Sequence, residues 1–382
     1  MFYMNVFLVA LLRSGAAFVL SAALFGAHAQ SPADNAPRWQ RVELNATGAA
    51  NARYPFAIYS NRLWTGDMRG VTSAVLIFHG LGRNGVGYFA AAAKLLAESG
   101  LNAGANGDEV LLIAPNFFIP ADAKNHVLDG MPLWSSGGAS AWMRGGDAVN
   151  WPRPLSAFEV IDDLLTVLSD PARFPRLERI VVAGHSAGGQ IVQRYAALNA
   201  IDETVRASGK RLSYIVANPS SYLYFTPERV SASNAVGIAP FDAAACPDFN
   251  HYRYGLENLP RYARDARDAS PVDSAALFKR YAVRDVTYLL GTADNDPEHR
   301  DLDKQCGGRA QGAHRLERGR NYIRYERHLA GSATSLNRRA YEVIDVAHSQ
   351  ARMFGSRCGA MLLFGAGAQH NASGAMCREL QF

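Results

Sequence analysis

A serine, an acid and a histidine can share one reaction if a fold brings them together. The 382-residue chain has Ser186 in Gly184-His-Ser-Ala-Gly188, Asp294 in Leu290-Gly-Thr-Ala-Asp-Asn-Asp296 and His348 in Asp345-Val-Ala-His-Ser349. A serine hydroxyl is a weak nucleophile until a neighbouring base takes its proton and a third group holds that base. These three residue types meet that need, and the chemistry expected of them is acyl transfer through Ser186. Asp296 competes with Asp294 for the acidic role, and Asp294 is favoured because it is nearer the end of an apolar run. His251, His299, His314, His328 and His370 compete with His348, which alone follows a clear apolar run by two residues.

The elements around Ser186 fit the task. Arg179-Ile-Val-Val-Ala183 is β-branched and apolar, as a strand buried on both faces requires, and Gln190 to Leu198 continues as a helix. Gly184 and Gly188 leave the turn between them free of bulk, so the serine can stand on a sharp strand-to-helix bend. Acyl transfer also needs donors aimed at the oxyanion that forms on the attacked carbonyl. The N–H of Ala187, at the start of the helix, is one candidate. The second is expected in His79-Gly-Leu-Gly-Arg-Asn84, after the run Ser73 to Phe78, with Leu81 first and Gly82 next. Arg83 beside them either binds a substrate carboxylate or braces the loop.

Further strands are expected at Trp39–Leu44, Tyr54–Tyr59, Asp108–Ala114, Arg211–Ala217, Arg284–Leu290 and Ala340–Val346. Helical spacing recurs at Gly87–Glu98 and Ser156–Ser169. Strands alternating with helices predict an α/β fold with a mostly parallel central sheet, helices on both faces and functional residues beyond the carboxyl ends of the strands. Two stretches break the alternation. Residues 116–154 read as a rim loop and residues 218–284 as a cap insertion after the nucleophile, in a catalytic domain spanning 54–382 behind a lead-in at 30–53. Trp134, Trp142, Tyr222, Tyr224 and Phe225 in these stretches either line the site or pack in the core. Trp134 and Tyr222 are taken as substrate contacts. Arg261, Arg264 and Arg267, and Arg315, Arg318 and Arg320, are either an attractor for an anionic substrate or solvated faces.

The 39 basic and 34 acidic residues are interleaved and leave a formal charge of +5, which argues against a nucleic-acid partner. Arg13, the apolar run Gly15–Gly26 and the small residues Ala27 and Ala29 read as a signal peptide over residues 1–29, removed from a secreted or periplasmic protein without stable membrane insertion. Four cysteines suit that compartment. They allow three connectivities, and sequence proximity favours Cys358 with Cys377, leaving Cys246 with Cys306. No CxxC pair suggests zinc.

Phe78-His-Gly-Leu-Gly-Arg-Asn84, Gly184-His-Ser-Ala-Gly-Gly189, Leu289-Leu-Gly-Thr-Ala-Asp294 and Val346-Ala-His348 together resemble the serine hydrolases of the α/β-hydrolase fold. With Ala217-Asn-Pro-Ser-Ser-Tyr222, they are similar to exported esterases near the polyhydroxyalkanoate depolymerases and feruloyl-type esterases. The resemblance implies hydrolysis of a small or polymeric carboxylic ester through an acyl-enzyme, without a metal or organic cofactor. The 108 positions between Ser186 and Asp294 exceed what a minimal member needs. An amidase or peptidase acting on an anionic polymer, or a non-catalytic binding module on the same scaffold, are the alternatives.

Overall fold

The computed structural model describes residues 38–46, 52–101, 109–230, 237–265, 272–371 and 374–381. The expected signal peptide and Arg267 lie outside them. Runs of apolar and β-branched residues pair into β1 (Arg38–Asn45), β2 (Arg53–Ser60), β3 (Val71–Phe78), β4 (Glu109–Pro115), β5 (Arg179–His185), β6 (Arg211–Ala217), β9 (Asp285–Gly291), β10 (Arg338–Val343) and β11 (Cys377–Leu380). A separate hairpin pairs β7 (Glu228–Val230) with β8 (Ile238–Pro240). The nine strands form one sheet in the order β1-β2-β4-β3-β5-β6-β9-β10-β11. The six from β4 to β10 in that order are parallel to one another, and β1, β2 and β11 join antiparallel at the two edges. This is the mostly parallel sheet that the alternation predicts. Within the stretch read as a lead-in, β1 pairs along the whole length of β2.

The sheet is buried on both faces because its central strands carry apolar residues at consecutive positions, so both sides of the pleat are apolar. Along β3, Ala74, Leu76 and Phe78 enter one core, and Val75 and Ile77 enter the other. Helix α1 (Gly85–Glu98) and the helix Arg357–Phe364 cover the second face through Phe89, Leu96 and Leu363. Helices α2 (Ala157–Ser169) and α3 (Ala187–Leu198), with the helix Arg315–Ala330, cover the first. Ser156 caps α2: its Oγ accepts from Phe158 N–H at 3.1 Å while Glu159 reaches back to Ser156 N–H at 2.6 Å. The stripe Phe158, Ile161, Leu164, Leu165 and Leu168 then faces the sheet, fully buried.

β10 ends at Val343, three residues before the expected end. The chain turns at Asp345, whose φ of 55° no continuing strand permits, and Val346 packs as part of the core. His348 therefore follows its strand by five residues rather than two.

Cys246 is bonded to Cys306 and Cys358 to Cys377, the favoured pairing. Among the described residues no helix is long and apolar enough to cross a membrane.

Candidate active site

Four strands end at the site: β3, β5, β9 and β10 run in parallel, so their carboxyl ends lie side by side. At the end of β5, Ser186 has φ 61° and ψ −120°, a backbone conformation that L-residues seldom adopt. Packing holds it there. A Cβ on Gly184 would stand 2.2 Å from Gly188 O, one on Gly188 2.2 Å from Phe78 O, and one on Gly189 2.7 Å from Ala217 O. Only glycines let the first turn of α3 settle between the ends of β3 and β6, and that contact keeps the bend sharp.

Ser186 Oγ donates to His348 Nε2 at 2.8 Å, and His348 Nδ1 donates to Asp294 Oδ2 at 2.7 Å. The three side chains named from the sequence thus form one hydrogen-bonded chain. Asp294 Oδ1 is held by Arg315 Nη1 at 3.2 Å, with both side chains at most 2% exposed. Burial works to raise the Asp294 pKa, but His348 and Arg315 outweigh it and hold it below the ordinary carboxylate value. Asp294 therefore favours its carboxylate form. Arg315 also donates to Ser220 Oγ at 3.2 Å. Rings of His185 and His299 lie 4.5 and 5.2 Å from that of His348. Burial, then the nearby His348 and Arg315, push the His185 pKa well down, so His185 stays a neutral ring beside His348.

The loop after β3 is set by a buried histidine. His79 Nε2 accepts from Phe117 N–H at 3.0 Å, so the proton is on Nδ1, which donates to Gly80 O at 2.9 Å. Burial lowers the His79 pKa to about 4 and keeps the ring in that neutral form. Arg83 N–H donates to the same Gly80 carbonyl at 3.1 Å. In a trans peptide the next N–H points opposite to the carbonyl, so fixing Gly80 O aims Leu81 N–H the other way. Leu81 lines a cleft of about 330 Å³ with Ser186 and Ala187, and Gly82 does not line it. The start of α3 leaves Ala187 N–H without an intrahelical acceptor.

The substrate contacts expected from the sequence need correction. Arg83 forms a two-pronged pair with Asp122 at 2.7 and 2.9 Å and donates to Leu81 O and Ser136 Oγ, so it braces the loop. Trp134 is fully buried against Phe56 and Phe117, and Tyr222 is fully buried on Tyr322. Both pack in the core, as do Trp142, Tyr224 and Phe225. The two irregular stretches still reach the cleft, through Ser136, Met143 and Arg144 from one and Ser220 and Arg253 from the other. Asp296 is exposed. Sequence reasoning missed the positions of His79 and Arg144, and it did not single out Arg315 from its neighbouring arginines. A histidine directly after a strand was the available signal; Arg315, 21 positions from Asp294, is set apart from its neighbours only by the fold.

No protein-family model matches the chain, and no curated protein sequence does. Solved structures do. Poly(aspartic acid) hydrolase-1 from Sphingomonas sp. KT-1 is similar at 23% identity and a TM-score of 0.56, over 86% of this chain and 99% of that one. LpqC, a poly(3-hydroxybutyrate) depolymerase from Bordetella parapertussis, is similar at 19% identity and a TM-score of 0.54, over 86% of this chain and 90% of that one. Together with the strand order, the bend at Ser186 and the loops that end β9 and β10, these likenesses give the architecture its name: the chain has the α/β-hydrolase fold.

Proposed function

We propose that this protein is a serine hydrolase that cleaves carboxylic esters through an acyl-enzyme. The observation that carries the reading is the unbroken chain from Ser186 Oγ through His348 to Asp294. Ser186 Oγ attacks the ester carbonyl as its proton passes to His348 Nε2, which is free to accept because the ring's own proton stays on Nδ1, donating to Asp294. Leu81 and Ala187 N–H groups donate to the oxyanion. His348 then gives the proton to the alcohol oxygen as the C–O bond breaks. Water repeats the sequence on the acyl-enzyme, releasing the acid and restoring Ser186. Two disulfides support placement outside the reducing cytoplasm.

One observation favours a second reading, amide cleavage in an acidic polymer. Arg144 lines the cleft without a carboxylate partner among the described residues, and its buried Nε has no acceptor. The similar structure named as a poly(aspartic acid) hydrolase agrees with a substrate of that charge.

Rapid mixing with p-nitrophenyl butyrate tests the first reading. A burst of p-nitrophenol equal to the enzyme concentration, or steady release that S186A abolishes, is the expected result. Turnover that survives S186A overturns it. Matched butyrate ester and anilide substrates then separate the two readings by their kcat/KM ratio.

A further inference from the structure

Beside the Ser186 cleft lies a larger cavity of about 1160 Å³, walled by the hairpin β7–β8 and the helix Arg315–Ala330. Leu302 and Lys304 line both, so the two spaces share a wall. The larger cavity has five cationic residues against Asp242, Glu298 and Glu317. Each of those acids is engaged: Asp242 accepts from Ala244 N–H, Glu298 from Lys304 Nζ, and Glu317 from Ala313 N–H. Four arginines of the wall, Arg229, Arg309, Arg318 and Arg324, form no ion pair among the described residues.

Two of them are buried. Arg318 is fully buried and Arg229 is 1% exposed. Arg318 Nε donates to Gly312 O at 2.9 Å and its Nη1 to Ser220 O, while Nη2 has no acceptor. Arg229 donates to Thr226 O at 2.9 Å and Glu228 O at 2.8 Å and lies 4.0 Å over the Tyr224 ring, while Nε has no acceptor. Asp303 and Glu317 act on Arg318 from nearby without hydrogen-bonding to it, and a ring face and carbonyls hold Arg229. A guanidinium keeps its proton, so a buried donor left without an acceptor favours an incoming anion. Arg318 also connects this wall to the site, since Ser220 accepts from Arg318 through its carbonyl and from Arg315 through its hydroxyl.

We propose that this cavity is an anion subsite that takes the side carboxylates of an acidic substrate chain whose scissile carbonyl sits at Ser186. The subsite as an anion site stands on its own geometry; its link to a substrate rests on the hydrolase reading. A chain crossing the shared wall at Leu302 and Lys304 meets Arg318 and Arg229 at depth and the exposed Arg309 and Arg324 at the rim.

The test uses the full chain in two arms. Tricarballylate, a probe with three carboxylates, is titrated calorimetrically into S186A at low salt. It binds, and binding weakens as salt rises. R309Q/R324Q, which changes only exposed positions, weakens it about tenfold, roughly threefold for each cation. R318M weakens it at least as much, and R318K, which keeps the charge, restores part of the loss. In the second arm, active protein hydrolyses p-nitrophenyl butyrate and the p-nitrophenyl ester of an N-acetylated tetra-aspartate. R309Q/R324Q raises KM about tenfold for the aspartate ester alone. Three results overturn the subsite: no tricarballylate binding, equal affinity in R309Q/R324Q, or inorganic phosphate binding where tricarballylate does not. Equal KM effects on the two esters overturn the link to substrate. Absence of butyrate turnover defeats the hydrolase reading, and the titration of S186A still decides the subsite.

Discussion

Replacing Arg315 by methionine removes the cation that holds Oδ1 of Asp294. At 3.2 Å, with both side chains almost fully buried, the pair attracts by about 5 kcal/mol at an effective dielectric constant of about 20. Not all of this reaches catalysis, because Asp294 keeps its bond to His348 and burial opposes its charge whether or not Arg315 is present. We expect kcat for p-nitrophenyl butyrate to fall about 10- to 100-fold, a barrier increase of about 1.4–2.8 kcal/mol, with KM changed less than about twofold. The pH profile carries the signature of a positioning role. Arg315 lowers the Asp294 pKa, so its loss raises that pKa, and the carboxylate is protonated at higher pH than before. The acid limb of kcat/KM therefore moves upward. The stability that Asp294 contributes above the ordinary carboxylate pKa is lost earlier as pH falls. R315K restores part of kcat. If folded R315M, verified by circular dichroism, keeps kcat within twofold and an unmoved acid limb, the ion pair does not support the site.

Three other perturbations give distinct readouts. The buried Tyr222 hydroxyl has no hydrogen-bond partner among the described residues, so Y222F leaves KM unchanged and stabilises the fold by about 1 kcal/mol in urea; a raised KM contradicts its place in the core. Burial raises the Asp162 pKa to about 7, so between about pH 4 and pH 7 the folded state holds a proton that the unfolded chain has released; the stability, fully present below about pH 4, is lost progressively up to about pH 7. Melting temperatures should show wild type losing ground to D162N between pH 5 and pH 8, and parallel profiles refute the assignment. The bond Cys246–Cys306 spans 60 positions, so C246S/C306S costs about 4 kcal/mol by loop entropy and raises KM by loosening the wall at Asp303 and Gln305; an unchanged denaturation midpoint refutes it.

What the sequence carried legibly was local. The β-branched run, the two glycines and the helix that follows Ser186 are contiguous, so their physics is readable without tertiary contacts. Asp294 and His348 followed because parallel strands place their carboxyl ends together. The strand into Val346 was read too long because a core residue reached after a turn has the same apolar character as one still in the ladder. Trp134 and Tyr222 looked like site residues because irregular segments are usually superficial, whereas here each drops an aromatic anchor into the core. Arg83 and Arg315 were legible as cations only. Whether a guanidinium meets Asp122, Asp294 or a substrate depends on partners that lie 39 and 21 positions away in the first two cases.

The central claim is that Ser186 is the nucleophile, and the direct measurement is the site of a fluorophosphonate adduct on the purified protein, mapped by peptide mass spectrometry. One adduct on the Ser186 peptide, absent in S186A and strongly slowed in H348A, is the predicted result. An adduct on another residue, or none while p-nitrophenyl butyrate is turned over, contradicts the account.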